Sequence, residues 1–157
     1  MTDYAVRPVF TTTSDQPVLP FLGAPERLLV TGDQSGGEFA LFSSSGTRGH
    51  STPWHRHLRA SETFIVLEGT IDVQVGDDRQ PVSAGGAAVL PRDVPHGFVV
   101  TSDSARYLTL HTPAGFDRFV HEVSAAAHDG APPDRGTLIQ LAAAAGIEIL
   151  GPPLAPP

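Results

Sequence analysis

The sequence predicts an all-β domain, a sandwich or a barrel, with a short helical appendage at its C-terminal end. Three observations predict it. Gly (16) and Pro (15) are plentiful, which favours many turns between short strands over a helical bundle. From residue 26 to residue 112, β-type runs recur about every 8–12 residues, the rhythm of a sandwich or barrel. After Pro113 the apolar period changes from two to that of a helix.

Taken in order, residues 1–20 carry Pro8, Pro17 and Pro20 and read as an extended arm with at most one strand. Strands follow at 26–31 and 38–45, bounded by Gly23, Gly32 and the pair Gly36-Gly37. Residues 46–53 read as a turn-rich loop. Residues 62–68 form a strand ending at Gly69. In 70–75, Ile71, Val73 and Val75 face one way and Thr70, Asp72 and Gln74 the other. The turn 76–79 closes a hairpin into 80–83. Further strands are predicted at 86–90, 96–101 and 106–112. Phe116, Phe119, Val120 and Val123 follow helical spacing, so 115–127 is a predicted helix. Asp134 is placed to cap a second helix with the stripe Leu138, Leu141, Ala142 and Ala145, which Gly146 stops. The last residues, GPPLAPP, read as a loose tail. The expected organisation is an N-terminal arm (1–20), a barrel (21–113), and C-terminal helices with a Pro-rich tail (114–157).

Composition bounds the function. The 157 residues suit one domain with a sizeable core. A net charge of −7, no Lys and ten scattered Arg argue against nucleic-acid and anionic-membrane partners. No window approaches the ~20 apolar residues that span a bilayer. The first residues lack the basic segment and apolar run of a signal peptide, so a cytoplasmic protein is expected. There is no Cys, which excludes disulfides, thiolate metal sites and Cys nucleophiles, and no Asn, which excludes N-glycosylation.

The chemistry concentrates in HRHLRASE, residues 55–62. Residues i and i+2 of a strand share a face, so an extended segment aims His55 and His57 at one point, and Pro53 favours that extended entry. Glu62 follows a turn, Leu58 to Ser61, and a hairpin of that length brings it beside the pair. Two imidazoles and a carboxylate are a ligand set for divalent metals. His96 is the best candidate for a fourth ligand, from a second hairpin wrapped across from the first.

These residues carry a family resemblance. Gly49, His55, His57, Glu62 and Gly69, at the spacing they have here, are similar to the first cupin motif at every defining position. Gly85, Pro91, Asp93 and His96 resemble the second motif, with Asp93 where Gly is usual and Val100 where Asn is usual. Asp tolerates a positive φ, so the turn survives, and the Asn is not a ligand in the family. The resemblance covers about residues 38–120. It implies a jelly-roll barrel in which His55, His57, Glu62 and His96 bind one divalent metal. Three His and one Glu suit Fe, Mn, Ni, Co, Cu or Zn, and ligand type does not choose among them. Four protein ligands leave room for water, substrate or O2. Residues 112–120 and 141–153 further resemble the region after the barrel in quercetin 2,3-dioxygenase-like bacterial cupins.

That resemblance implies a metal-dependent dioxygenase acting on a flavonol-like or other enolisable aromatic substrate, with Glu62 as ligand and general base. Two alternatives stay open: a non-redox isomerase or cyclase of a small molecule such as a polyketide, and a binding module without catalysis. It also implies a homodimer, to which the arm could add a strand. Phe64 and Phe98 sit two residues beyond Glu62 and His96, on the same face, where they either fill the core or wall a substrate cavity. Phe42, Tyr107 and Phe116 join them as candidate substrate contacts. His50 reads as a loop residue, and His121 and His128 as surface residues. His111 either lines the cavity or caps it. Arg48, Arg56, Arg59 and Arg92 read as solvated loop charge.

Overall fold

The computed structural model describes residues 6–129 and 131–157. After a 3-10 turn at Thr13–Asp15, the strands are β1 (Leu19–Phe21), β2 (Ala24–Val30), β3 (Ala40–Thr47), β4 (Pro53–His57), β5 (Ser61–Glu68) and β6 (Thr70–Val75). Then come β7 (Asp78–Ser83), β8 (Ala87–Leu90), β9 (His96–Val100) and β10 (Ser104–Thr112). Helices α1 (Phe116–Ala126) and α2 (Arg135–Ala144) follow, and β11 (Ile147–Pro153) closes the chain. All pairings are antiparallel. One sheet has the order β1-β2-β3-β10-β5-β8 and the other β11-β4-β9-β6-β7. Two such sheets face to face make the jelly roll expected from the sequence. Among the described residues, no helix is long and apolar enough to cross a membrane.

The alternation of inward and outward residues builds the core in rungs. Across the larger sheet, Glu26, Ser44, Tyr107 and Val66 are paired neighbours and all buried. The next rung is Leu28, Phe42, Thr109 and Phe64, and the third is Ala40, His111, Glu62 and Leu90. The facing sheet contributes Ile71, Val73, Phe98 and Val100. Burying each large apolar side chain is worth about 1.5–3 kcal/mol. On the opposite face Asp72 is covered by Arg79, which it meets at 3.0 Å, so its charge is paired where it is buried. Apolar burial decides which way β6 faces.

The helix at the barrel mouth behaves as its pattern predicts. Phe119, Val120 and Val123 of α1 bury against Phe21, Leu28 and Phe42. Asp117 fixes its start: one carboxylate oxygen accepts from Gly115 N–H at 3.1 Å and the other from Gly32 N–H at 2.9 Å. Asp134 caps α2 through Gly136 and Thr137 N–H, and Gly146 (φ +73°) ends it.

Three sequence expectations are corrected. The hairpin after β6 needs only Gly76 and Asp77, because Val75 already pairs with Asp78 and Gly76 takes a positive φ. The loop expected over 46–53 is shorter, since β3 runs to Thr47 and β4 starts at Pro53. The C-terminal segment is not a loose tail: Ile147–Pro153 pairs with β4, and only 154–157 lie beyond it. As an outer strand it needs hydrogen bonds on one side only, which makes its prolines tolerable. The appendage thus completes a sheet of the barrel.

Candidate metal centre

His55 and His57 project from β4 into the barrel, and His96 opens β9. The strands are direct neighbours, and His55 is the pairing partner of His96. His96 thus lies beside the His pair and not across from it as expected. Glu62 is the residue that faces the pair from the opposite sheet. The link between β4 and β5 is not a hairpin, because those strands belong to different sheets. Leu58 N–H donates to Gly146 and Asp93 N–H to the His57 carbonyl, which pins the crossing at both sides. Asp93 holds the positive φ (+66°) that its turn requires.

One ligand atom from each of His55, His57, Glu62 and His96 lies within 4.8 Å of all the others. His55 Nε2 is 3.1 Å from His57 Nε2. A Glu62 carboxylate oxygen is 3.5 Å from His57 Nε2 and 3.4 Å from His96 Nε2. Nitrogen ligands at about 2.1 Å from a common ion stand about 3.0 Å apart at right angles and about 3.4 Å apart in a tetrahedron. The spacing therefore fits a single ion. Outer contacts set the tautomers: His55 Nδ1–H donates to the Pro53 carbonyl at 2.6 Å, and His96 Nδ1–H to that of Val94 at 2.9 Å. Each Nε2 is left as a lone pair turned inward, the usual arrangement of metal-binding imidazoles. Buried His96 Nε2 has no hydrogen-bond partner among the described residues.

The electrostatics of His55 agree with that assignment. Burial, then the neighbouring His57 and His96, push His55 down to about 3, so it is a neutral donor. Burial alone would raise Glu62, but His111, His57 and His96 together hold its carboxyl well below the usual carboxylate range. His111 answers the question its position raised. It is fully buried behind Glu62, its Nε2 3.6 Å from the carboxylate, and stacks on Phe116 with ring centres 3.9 Å apart. Burial pushes it down to about 3, against the pull of the Glu62 carboxylate beside it.

His55, Glu62 and His96 of the centre sit in the wall of a narrow cavity of about 60 Å³. Phe64, Phe98, Tyr107 and Phe116 line it, with Phe64 and Phe98 5.0 Å apart and Tyr107 edge-on to both. Phe42 does not line it; it lies behind, edge-on to His111 and Phe116. His50 lines the cavity against Phe98 without joining the ligand group. His121 and His128 are exposed. The loop arginines are engaged elsewhere: Arg48 with Asp103 at 2.8 Å, Arg56 with Glu148 at 2.7 Å, and Arg59 with the Ala144 carbonyl. Arg92 is exposed.

Among the cavity residues that sequence reasoning missed are Glu26 and Thr52. Glu26 is buried and accepts a hydrogen bond from the Ser44 hydroxyl. Burial, offset in part by Ser44 and reinforced by Glu62, raises its pKa to about 8. The signal was available, since Glu26 and Leu28 share a strand face and Leu28 is plainly apolar. Tyr107 OH and Thr52 Oγ1 are buried without a partner among the described residues. An unmet buried hydroxyl costs about 1–3 kcal/mol, so these two groups weaken the packing that their side chains otherwise provide.

The comparisons fit this geometry. The cupin-domain family model matches residues 47–111. Quercetin 2,3-dioxygenase of Bacillus subtilis (strain 168) is 27% identical over 82 residues, which cover 52% of this chain and 24% of that protein. The chain thus spans about a quarter of that relative. The polyketide cyclase RemF from Streptomyces resistomycificus superposes with a TM-score of 0.59 at 25% identity, over 68% of this chain and 80% of RemF. KdgF from Halomonas sp. gives 0.64 at 18% identity, over 71% of this chain and 99% of KdgF, a likeness of fold alone.

Proposed function

For a chain of the cupin superfamily with this centre, we propose a metal-dependent dioxygenase that acts on a flavonol-like or other enolisable aromatic substrate. The observation that carries the reading is the joining of two features in one cavity. His55, Glu62 and His96 lie in its wall, with His57 completing the three-His, one-Glu group, and aromatic rings line the space beside them. The similarity to quercetin 2,3-dioxygenase supports it.

His55, His57 and His96 would hold a divalent transition metal through Nε2, and Glu62 through a carboxylate oxygen. When bound, that ion supplies Lewis acidity and, if it is redox-active, a route for electrons to O2. The remaining work belongs to the chain. Glu62 stays ionised, so it can accept the proton of a substrate hydroxyl. The substrate O–H bond breaks, the Glu62 O–H bond forms, and the electron pair stays on the substrate oxygen as an enolate. His111 and Phe116 keep the carboxylate in place from behind. Phe64, Phe98 and Tyr107 hold a flat ring and exclude water. O2 is the oxidant, and both its atoms enter the product.

Elemental analysis of the purified protein, combined with O2 uptake against a panel of flavonols, tests the reading. A redox-active metal with flavonol-dependent uptake is expected. A zinc protein with no uptake refutes it. Glu62→Gln that keeps its metal and full turnover removes the general-base role. A second reading, a non-redox cyclase of a polyketide, is favoured by the likeness to RemF, which spans more of this chain. Anaerobic conversion of an aromatic polyketide would select it.

We also propose a homodimer that uses the N-terminal arm, because Phe10 is 95% exposed on it and Val6, Val9 and Val18 are exposed nearby. Size-exclusion of protein lacking residues 1–20 should show a shift toward monomer; an unchanged dimer removes the arm from the interface.

A further inference from the structure

The cavity has two ends, and the metal centre uses only one. On β5, the backbone positions of Glu62 and Val66 are four residues apart, which is roughly 13 Å at about 3.3 Å per residue, while the side chains of the two rungs reach toward each other, since the Glu62 charge is felt at Glu26. Val66 marks the rung of Glu26, Ser44 and Tyr107. At that far rung Glu26 and Tyr107 both line the cavity while buried, at 9% and 1% exposure. Phe64 and Phe98 lie alongside them. The Tyr107 hydroxyl donates to no described residue, and Thr52 Oγ1 on the cavity wall is in the same state. Ser44 occupies one oxygen of Glu26 and no other hydrogen bond to that carboxyl is present among the described residues. A buried carboxyl and a buried, unpartnered phenol facing a cavity are unusual choices for packing alone.

We propose that Glu26 and Tyr107 form a distal polar anchor that binds a second oxygen, a hydroxyl or carbonyl, at the far end of an aromatic substrate whose near oxygens meet the metal centre. The inference rests on the proposed aromatic substrate and deepens it. It assigns a class: flat, elongated aromatics oxygenated at both ends. The carboxyl of Glu26 is held protonated at neutral pH by burial, so it offers a proton donor as well as an acceptor. Tyr107 offers both as well. A site built to hydrogen-bond a substrate hydroxyl discriminates against analogues without one. The anchor therefore sets specificity, while the metal ligands set reactivity.

Two flavonols that share the 3-hydroxy-4-keto group test the anchor. Kaempferol carries distal hydroxyls and 3-hydroxyflavone has none. Binding to the Zn2+-loaded protein is followed by the shift in flavonol absorbance. Wild type should bind kaempferol about tenfold more tightly. Tyr107→Phe and Glu26→Leu should each bring the two ligands within about twofold. A preference that survives both substitutions overturns the anchor. If neither flavonol binds the wild type, the flavonol-like reading has failed, and the anchor is judged separately on metal-free protein with 2-naphthol against naphthalene. The same two substitutions should then abolish a preference for the naphthol, and no preference in wild type overturns the proposal. Tyr107→Phe should also melt at or above the wild-type temperature. A fall of several degrees would make the hydroxyl structural and end the proposal.

Discussion

Glu26→Gln in the metal-free protein should change how stability depends on pH. The unfolded chain releases the Glu26 proton near its ordinary value of 4.5, while the fold holds it to about 8. Below 4.5 both states carry the proton and stability does not depend on this group. Between 4.5 and 8 the folded state binds more protons than the unfolded one, so stability falls as pH rises, by about 1.4 kcal/mol per pH step where the difference is complete. Above 8 both states are ionised and the dependence ends. From pH 5 to pH 8 the wild type should lose about 3 to 4 kcal/mol that Glu26→Gln keeps. Gln fits the same space and still accepts from Ser44, so packing stays constant between the two proteins. Urea unfolding at pH 5, 6, 7 and 8 measures the difference, and titration of the buried histidines cancels because both proteins carry them. Parallel stability curves would show that Glu26 is ionised in the fold, and would refute its description as a buried neutral acid.

Other outcomes follow from the same geometry. His57→Ala and His96→Ala each remove one of the four candidate ligands, so metal content after dialysis should fall to a small fraction of wild type by elemental analysis, with the fold retained by circular dichroism. Gly69→Ala should cost more than about 2 kcal/mol in chemical unfolding, because its φ is +74° and an added Cβ would meet the Ser104 carbonyl oxygen at 2.1 Å. Asp93→Gly relieves the positive φ of +66° and should raise stability by up to about 1 kcal/mol, read as a higher melting temperature with metal binding unchanged. Asp117→Ala leaves the Gly32 and Gly115 amides without their acceptor and should destabilise the protein by about 1–2 kcal/mol, measured the same way.

Much of this protein was determined by sequence alone, wherever the cause is local. Side-chain alternation put Ile71 and Val73 on the inner face, helical spacing set the buried stripe of α1, and a side-chain oxygen at Asp134 started α2. The close spacing of His55 and His57 put both rings on one face whatever the rest of the chain did. What the tertiary structure decided is which strands meet. Glu62 lies near the His pair in sequence yet reaches it from the opposite sheet, and distant His96 turns out to be the pairing neighbour of His55. The same long-range pairing drew Ile147–Pro153 into a sheet beside β4, although residues 151–153 read locally as the start of a Gly- and Pro-rich tail. It also turned Glu26, an ordinary charged residue in sequence, into a buried acid at the far end of the cavity. Alternation fixes the face of a residue relative to its own strand; register and sheet order, set by burial summed over the whole core, fix what that face looks upon.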